Sequence, residues 1–431
     1  MTSPAIPSAH PVRSHARILA ASLVGTAVEF YDFYVFATAT ALVIGPLFFP
    51  ALSPTAQNLS KFMAFGIAFF ARPVGAIVFG HFGDRIGRKS TLVASLLLMG
   101  GSTLLIAFLP TYAVAGAWAP ALLCVMRFGQ GFGLGGEWGG AALLAVENAP
   151  KGWEGRFGSA PQLGAPLGFF AANGLFLLLG LYLPEADFVS WGWRVPFLLS
   201  ALLVGVGLWV RLKIGETVAF AQAREHEAPP QVPVGRLMRD HPGAVVAGVA
   251  GVVACFALFY LATTFALSFG TQTLHYPRMA FLAVQLAANG FFVVGILAAG
   301  WWADLASPRV VLGAGALLTA LIGVGFGWGL GSGSLALVFA TLSASLFVMG
   351  LTYGPLGAWL PSLFAVPVRY TGISLAFNLG GIIGGALAPF AAQWAANVGG
   401  TPYIGMFLTV AGAVTLAGVT LARPAATARR A

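Results

Sequence analysis

Apolar residues run along this chain in long unbroken stretches, separated by short segments rich in glycine, proline and charge. The stretches fall near 18–42, 62–82, 90–109, 115–145, 157–181, 193–212, 243–268, 280–302, 308–329, 333–360, 371–394 and 402–421. A helix needs roughly 20 such residues to cross a hydrocarbon core about 30 Å thick. Strands of a membrane barrel would instead alternate apolar and polar over segments of about ten residues. The pattern predicts an all-α membrane protein of twelve transmembrane helices.

The longest polar stretch, 213–242, carries Lys213, Glu216, Arg224, Glu225, Glu227, Arg236, Arg239 and Asp240 together with Pro229, Pro230 and Pro233. That is a linker composition. It divides the chain into a tail (1–17), a six-helix bundle (18–212), the linker, a second six-helix bundle (243–421) and a tail (422–431). The halves resemble each other. GHFGDRIGRK at 80–89 matches GWWADLASPR at 300–309 with Asp84 and Asp304 in register, and RFGSAPQLGAPLG from Arg156 matches RYTGISLAFNLGG from Arg369. Parallel repeats of this kind place a substrate site at the midplane between bundles.

Composition agrees with lipid as the solvent: 58% of the 431 residues are hydrophobic and 8% charged, and the mean hydropathy is +0.87. Soluble domains run nearer a quarter charged. The basic residues set an orientation. Arg13, Arg17, Arg85, Arg88, Lys89, Lys151, Arg156, Arg211, Lys213, Arg224, Arg236, Arg239, Arg309, Arg369, Arg423, Arg429 and Arg430 fall in the tails or after even-numbered helices, and the opposite side receives Lys61, Arg194 and Arg278. The positive-inside rule then makes both termini and the linker cytoplasmic in an inner membrane. The net charge of +9 is dispersed, which fits contact with anionic headgroups and not a nucleic-acid partner. The N-terminus reads as uncleaved, because its first apolar run leads straight into Glu29 and Asp32. Cys124 and Cys255 have no paired spacing, the histidines fall in tails, loops or a helix end, and no catalytic motif appears, so neither a cofactor, a metal nor an enzyme is expected.

GHFGDRIGRKS at 80–90 resembles the loop between helices two and three of the major facilitator superfamily, and Arg127, Gln130 and Gly131 resemble its helix-four signature. VEFYDFYVFATA (28–39), GGEWGGAALLAVENAP (135–150), WGWRVPFLLS (191–200) and the run 353–389 are similar to its metabolite:proton symporters, whose members carry proline/betaine, citrate, 2-oxoglutarate or shikimate. The resemblance implies two pseudo-two-fold related bundles, proton-coupled transport of a small organic acid or zwitterion, and a cytoplasmic gate at Gly80, Asp84, Arg85, Arg88 and Arg156. A uniporter or exchanger of the same solutes, or a membrane solute sensor, are the other readings. The sequence departs from the family at Ser362 and AVPV (365–368), and at Ser307 and Pro308 in the second signature loop, which argues against a charge latch on the C-terminal cytoplasmic side.

Ionisable groups in hydrocarbon are costly and commonly functional. Glu29, Asp32, Arg72, Arg127 and Glu137 qualify, all in the first half. Glu29 and Asp32 are one turn apart on helix one, and burial beside a like charge favours taking up a proton, as a carrier requires. The alternative is a structural ion pair with Arg72 or Arg127. Glu29, Asp32, Arg127 and Glu137 are expected to couple protons. Arg72, whose planar fork matches a carboxylate, is expected to face substrate along with Tyr31, Tyr34, Gln162, Asn173, Tyr260, Tyr353 and Asn378. Seven glycines between Gly129 and Gly140 read as close packing. Partners are then substrate, protons and lipid, with one chain sufficing.

Overall fold

The computed structural model describes residues 16–86, 88–213, 233–365 and 368–423; the side chains of 17–18, 21, 55, 80–92, 210–213 and 233 are outside the description. Helix α1 runs Ala16–Ala39, widens into a π segment at Thr40–Ile44 and ends as Gly45–Phe48. In a regular α-helix the Pro46 ring would strike the carbonyl of Leu42, and the wider turn relieves that clash. There follow α2 (Pro54–Ile86), α3 (Arg88–Ile106) and α4, which breaks between Trp118–Leu134 and Glu137–Glu147. Helix α5 begins as Glu154–Ser159 and continues through a 3₁₀ turn into Gly164–Tyr182, and α6 is Val195–Lys213.

The second half repeats the series. Helix α7 runs Pro242–Tyr260, passes through a π segment at Leu261–Phe265 and ends as Ala266–Gln272; α8 is Arg278–Leu305 and α9 Pro308–Leu330. Helix α10 joins Leu335–Tyr353 to Leu356–Ser362, α11 joins Arg369–Gly381 through a π segment to Leu387–Gly399, and α12 joins Thr401–Ile404 to Met406–Leu421. Among the described residues ten helices are long and apolar enough to cross a membrane; Val93–Ile106 of α3 is a shorter apolar helix. Among the described residues of the linker expected at 213–242 is the helix Pro233–Asp240, whose Leu237 is fully buried. Proline at the first helical position and a single inward leucine suffice for that turn.

Packing shows the repeat directly. Helix α1 packs on α5 and α6, α2 on α4, and α3 on α4 and α6. Shifted by six, α7 packs on α11 and α12, α8 on α10, and α9 on α10 and α12. The bundles meet where α2 lies against α11 and α5 against α8, a pair of contacts related by the same shift. Two faces result: the tail face, where α1 begins and α12 ends, and the far face opposite. Exposed Trp118, Tyr182, Trp191 and Trp328 ring the far face, and Trp209 and Trp301 the tail face, as aromatic belts do at membrane interfaces.

Glycine sets the depth at which α2 and α4 approach. A Cβ at Gly131 would sit 2.1 Å from the backbone oxygen of Ala68, and one at Gly135 would sit 2.1 Å from that of Arg72. Without side chains at these positions, α4 presses its backbone onto α2 beside both intramembrane arginines.

Candidate functional site

Asp32 is fully buried inside the first bundle. One carboxyl oxygen accepts from the Ser200 hydroxyl of α6 at 2.5 Å, and the other has no hydrogen-bond partner. The neighbouring Thr103 hydroxyl is directed to the carbonyl of Met99. Among the described residues no cation is ion-paired with Asp32. Arg127, also fully buried, instead donates to Gln130 and, at 2.9 Å, to the carbonyl of Phe65, while its guanidinium lies 3.9 Å from the ring centre of Phe36. Gln130 completes the link by donating to the backbone carbonyl of Asp32 at 2.8 Å and to Thr103 at 3.0 Å. The chain Arg127–Gln130–Asp32 thus reaches the backbone of the acid and leaves its carboxyl to Ser200. Glu137 accepts from Ser95 of α3 at 2.6 Å, tying α3 to α4.

Glu29, one turn before Asp32, has different surroundings: it lies within electrostatic range of Arg72, Tyr34 and Tyr353, at the contact between bundles. Arg72 is buried with its guanidinium 4.4 Å from the Phe33 ring centre and 4.7 Å from that of Phe69, and its Nε has no hydrogen-bond partner. Phe33, Phe65 and Phe69 close on Tyr260 of α7 with ring centres 5.3–6.0 Å apart. This aromatic plug joins α1, α2 and α7 at mid-depth.

On the other side of Tyr34 lies a narrow cavity between the bundles, lined by Tyr34, Ala37, Thr38, Phe169, Asn173, Thr263, Thr264, Leu267 and Gln285. Thr38 donates to Asn173 at 2.8 Å, while Gln285 spends its amide protons on carbonyls of Ala262 and Thr263 in the π segment of α7 and keeps Oε1 unpaired. Asn173 and Tyr34 therefore line a polar space, and Tyr260 borders Arg72. Gln162 and Tyr353 meet through Trp138, whose indole N–H donates to both, at 3.1 and 3.2 Å. Asn378 bridges the bundles by donating to the carbonyl of Gly135 at 2.8 Å. Tyr31 stands apart from this group: its hydroxyl donates to the carbonyl of Pro196 at the start of α6, so it packs α1 on α6 within one bundle.

Polar contacts join the bundles at both faces. On the tail face Arg156 pairs with Asp304 at 2.9 Å, and the amides of Gly155 and Arg156 donate to the same carboxylate at 2.6 and 3.4 Å. A carboxylate at the start of a helix beside an arginine is doubly favoured. Arg369 lies 3.9 Å from Glu147 on this face. A charge contact thus stands where the departures at Ser307 and Pro308 argued against one. Those residues instead begin α9, with Ser307 accepting from the Val310 amide at 3.2 Å and proline at the first helical position. Gly80, Asp84 and Arg85 lie in α2 and Arg88 begins α3, but their side chains and surroundings are outside the description. On the far face Arg278 pairs with Glu185, and Lys61 of α2 donates to Ser268 and Gln272 of α7, both at 2.7 Å.

Residues 18–231 match the family described as "Sugar (and other) transporter". The inner membrane metabolite transport protein YhjE of Escherichia coli (strain K12) is 47% identical over 94% of this chain and 93% of its own length. The chain belongs to the major facilitator superfamily. Within that superfamily, the shikimate transporter of the same bacterium is 36% identical over 86% of this chain and 85% of its own. The major facilitator fold is also that of the proton:xylose symporter XylE bound to 6-bromo-6-deoxy-D-glucose, with a TM-score of 0.76 and 95% of each chain covered at 16% identity. This facilitator is accordingly a multi-pass membrane transporter and not an enzyme.

Three elements of the facilitator's site were missed by sequence reasoning. Lys61 counts in the sequence only as one of the few basic residues on the side opposite the tails, yet it is completely buried with its ammonium on Ser268 and Gln272 of α7. Trp138, stacked on Phe377 of α11 with ring centres 3.7 Å apart, was hidden in the glycine run. Ser200 is one hydroxyl in an apolar helix, and only its partner makes it notable.

Proposed function

We propose that this transporter is a proton-coupled symporter of small organic acids, working by alternating access in the inner membrane with its tail face cytoplasmic. The bundle 18–212 and the bundle 243–421, joined by 213–242, are the two moving bodies, and a single chain holds the whole site. The observation that carries the reading is Asp32: sealed from solvent, held by the Ser200 hydroxyl and, among the described residues, paired with no cation. Holding an ionised carboxylate there in this closed state buries an unpaired charge at a cost of several kcal/mol, whereas holding the protonated acid buries none. Closure then requires the proton, and that requirement is what couples proton movement to the conformational cycle.

Arg72 supplies the substrate end. It carries a fixed positive charge between the aromatic plug and Tyr34, and a carboxylate can take both edges of a guanidinium. The polar cavity beyond Tyr34 offers Thr38, Asn173, Thr264 and Gln285 to hydroxyls of the same molecule. The likeness to a shikimate transporter supports a hydroxylated carboxylate in that arrangement. Arg72→Ala is expected to abolish binding of every carboxylate the unaltered protein binds, at least about a hundredfold in affinity if a desolvated charge-assisted pair worth about 3 kcal/mol is lost. Isothermal calorimetry on the purified protein measures it, and retained affinity removes Arg72 from the site.

A further inference from the structure

Lys61 is the one residue of the far-face closure whose charge has no structural purpose there. Its ammonium is fully buried, its neighbours are the neutral Ser268 and Gln272, and the Phe62 ring centre is 5.3 Å away. Gln272 in turn donates to the carbonyl of Ala41 in the π segment of α1 at 2.9 Å, so the polar contacts linking Lys61 to the end of α7 and through it to α1 are hydrogen bonds to neutral groups. A glutamine at position 61 would supply the same bonds without desolvating a charge, which is among the costliest acts in a protein interior. Of the two acidic residues described on this face, Glu185 is paired with Arg278 and Asp187 is exposed on the same short helix, and neither is ion-paired with Lys61. The charge therefore acts in a state in which Lys61 is not sealed.

That state is the one open to the far face. Ser268 and Gln272 lie on Ala266–Gln272, beyond the π segment Leu261–Phe265 of α7. When this end swings away, its two partners leave with it and Lys61 stands exposed on α2. Position 61 precedes Arg72 by eleven residues, about 16 Å and almost a whole number of turns, so both cations share one stripe of α2. Between them on that stripe are Phe65 and Phe69, members of the aromatic plug.

We propose that Lys61 is the outer capture site for the anionic substrate, binding its carboxylate from the far-face solution before Arg72 takes it beyond the plug. This rests on the organic-acid reading given above. Once the carboxylate passes inward, Ser268 and Gln272 return to the ammonium and seal it.

The test is initial uptake into proteoliposomes of a labelled carboxylate, drawn from shikimate, citrate and 2-oxoglutarate, by the unaltered full-length protein, Lys61→Gln and Lys61→Arg. Electrostatic capture changes encounter rates by tenfold or more, so Lys61→Gln is expected to raise KM about tenfold with maximal rate within twofold. Lys61→Arg should stay near the unaltered protein, and the difference should shrink as salt is raised. A Lys61→Gln protein with unchanged KM, or with the same KM ratio at low and high salt, overturns the capture site. So does a loss confined to maximal rate, which marks a closure element only. If the unaltered protein takes up none of the three, the organic-acid reading falls and this inference with it.

Discussion

Two carboxylates one turn apart on α1 occupy unlike environments: Glu29 faces Arg72 and the tyrosines of the bundle contact, and Asp32 faces Ser200 inside one bundle, with Gln130 on its backbone carbonyl. If Asp32 carries the coupling proton, the isosteric amide must uncouple the carrier. In Asp32→Asn, substrate accumulation driven by a pH gradient should fall from about tenfold per pH unit, the equivalent of ~1.4 kcal/mol for one proton, to unity, while exchange of substrate across the membrane persists. Counterflow beside gradient-driven uptake measures both, and accumulation retained by the amide contradicts the assignment. Sequence alone exposed Glu29, Asp32, Arg72 and Arg127, because an ionisable residue within an apolar run is conspicuous. It did not separate the two acids, whose directions differ by only about 60° around a helix; the neighbours, contributed by α3, α4 and α6, decide. Lys61 escaped for a related reason: its burial comes from α7, more than 200 residues later in the chain.

At the scale of elements, the twelve helices were legible because crossing a bilayer demands long apolar runs. Less legible were the π segments, the break of α4 at Gly135–Gly136 and the helix Pro233–Asp240, each set by a local clash or a tertiary contact that hydropathy does not register. The glycines of α4 read as packing residues, and Gly131 shows the tolerance involved. Leucine there would drive a Cβ to 2.1 Å from the backbone oxygen of Ala68, and overpacking of this kind costs about 1–3 kcal/mol or more. Gly131→Leu should lower the thermal midpoint of the purified protein and abolish uptake, because α2 carries Arg72 and α4 carries Arg127. Gly101→Ala on α3, where nothing lies within 4 Å of the added carbon, should leave both nearly unchanged. Equal midpoints for the two variants would contradict the packing account.

For the whole molecule, hydrogen bonds and ion pairs join the bundles at both faces at once, and the proposed alternating access requires each cycle to release one set while keeping the other. Asp304→Ala removes the acceptor for Arg156 and two amides on the tail face. A lost hydrogen bond of about 1 kcal/mol is a fivefold change in population, so the variant should favour the tail-open form, read as a longer spin-label distance between positions 151 and 305. An unaltered distance distribution would show that this contact does not hold the face. The central claim is symport with an organic acid, and its most direct test is proton flux into proteoliposomes holding an internal pH dye as solutes are added outside. The panel is mono-, di- and tricarboxylates, shikimate, proline and betaine. The account predicts internal acidification on adding one class of carboxylate, absent with Asp32→Asn; uptake of labelled solute without acidification would contradict it and leave a uniporter or exchanger on the same fold.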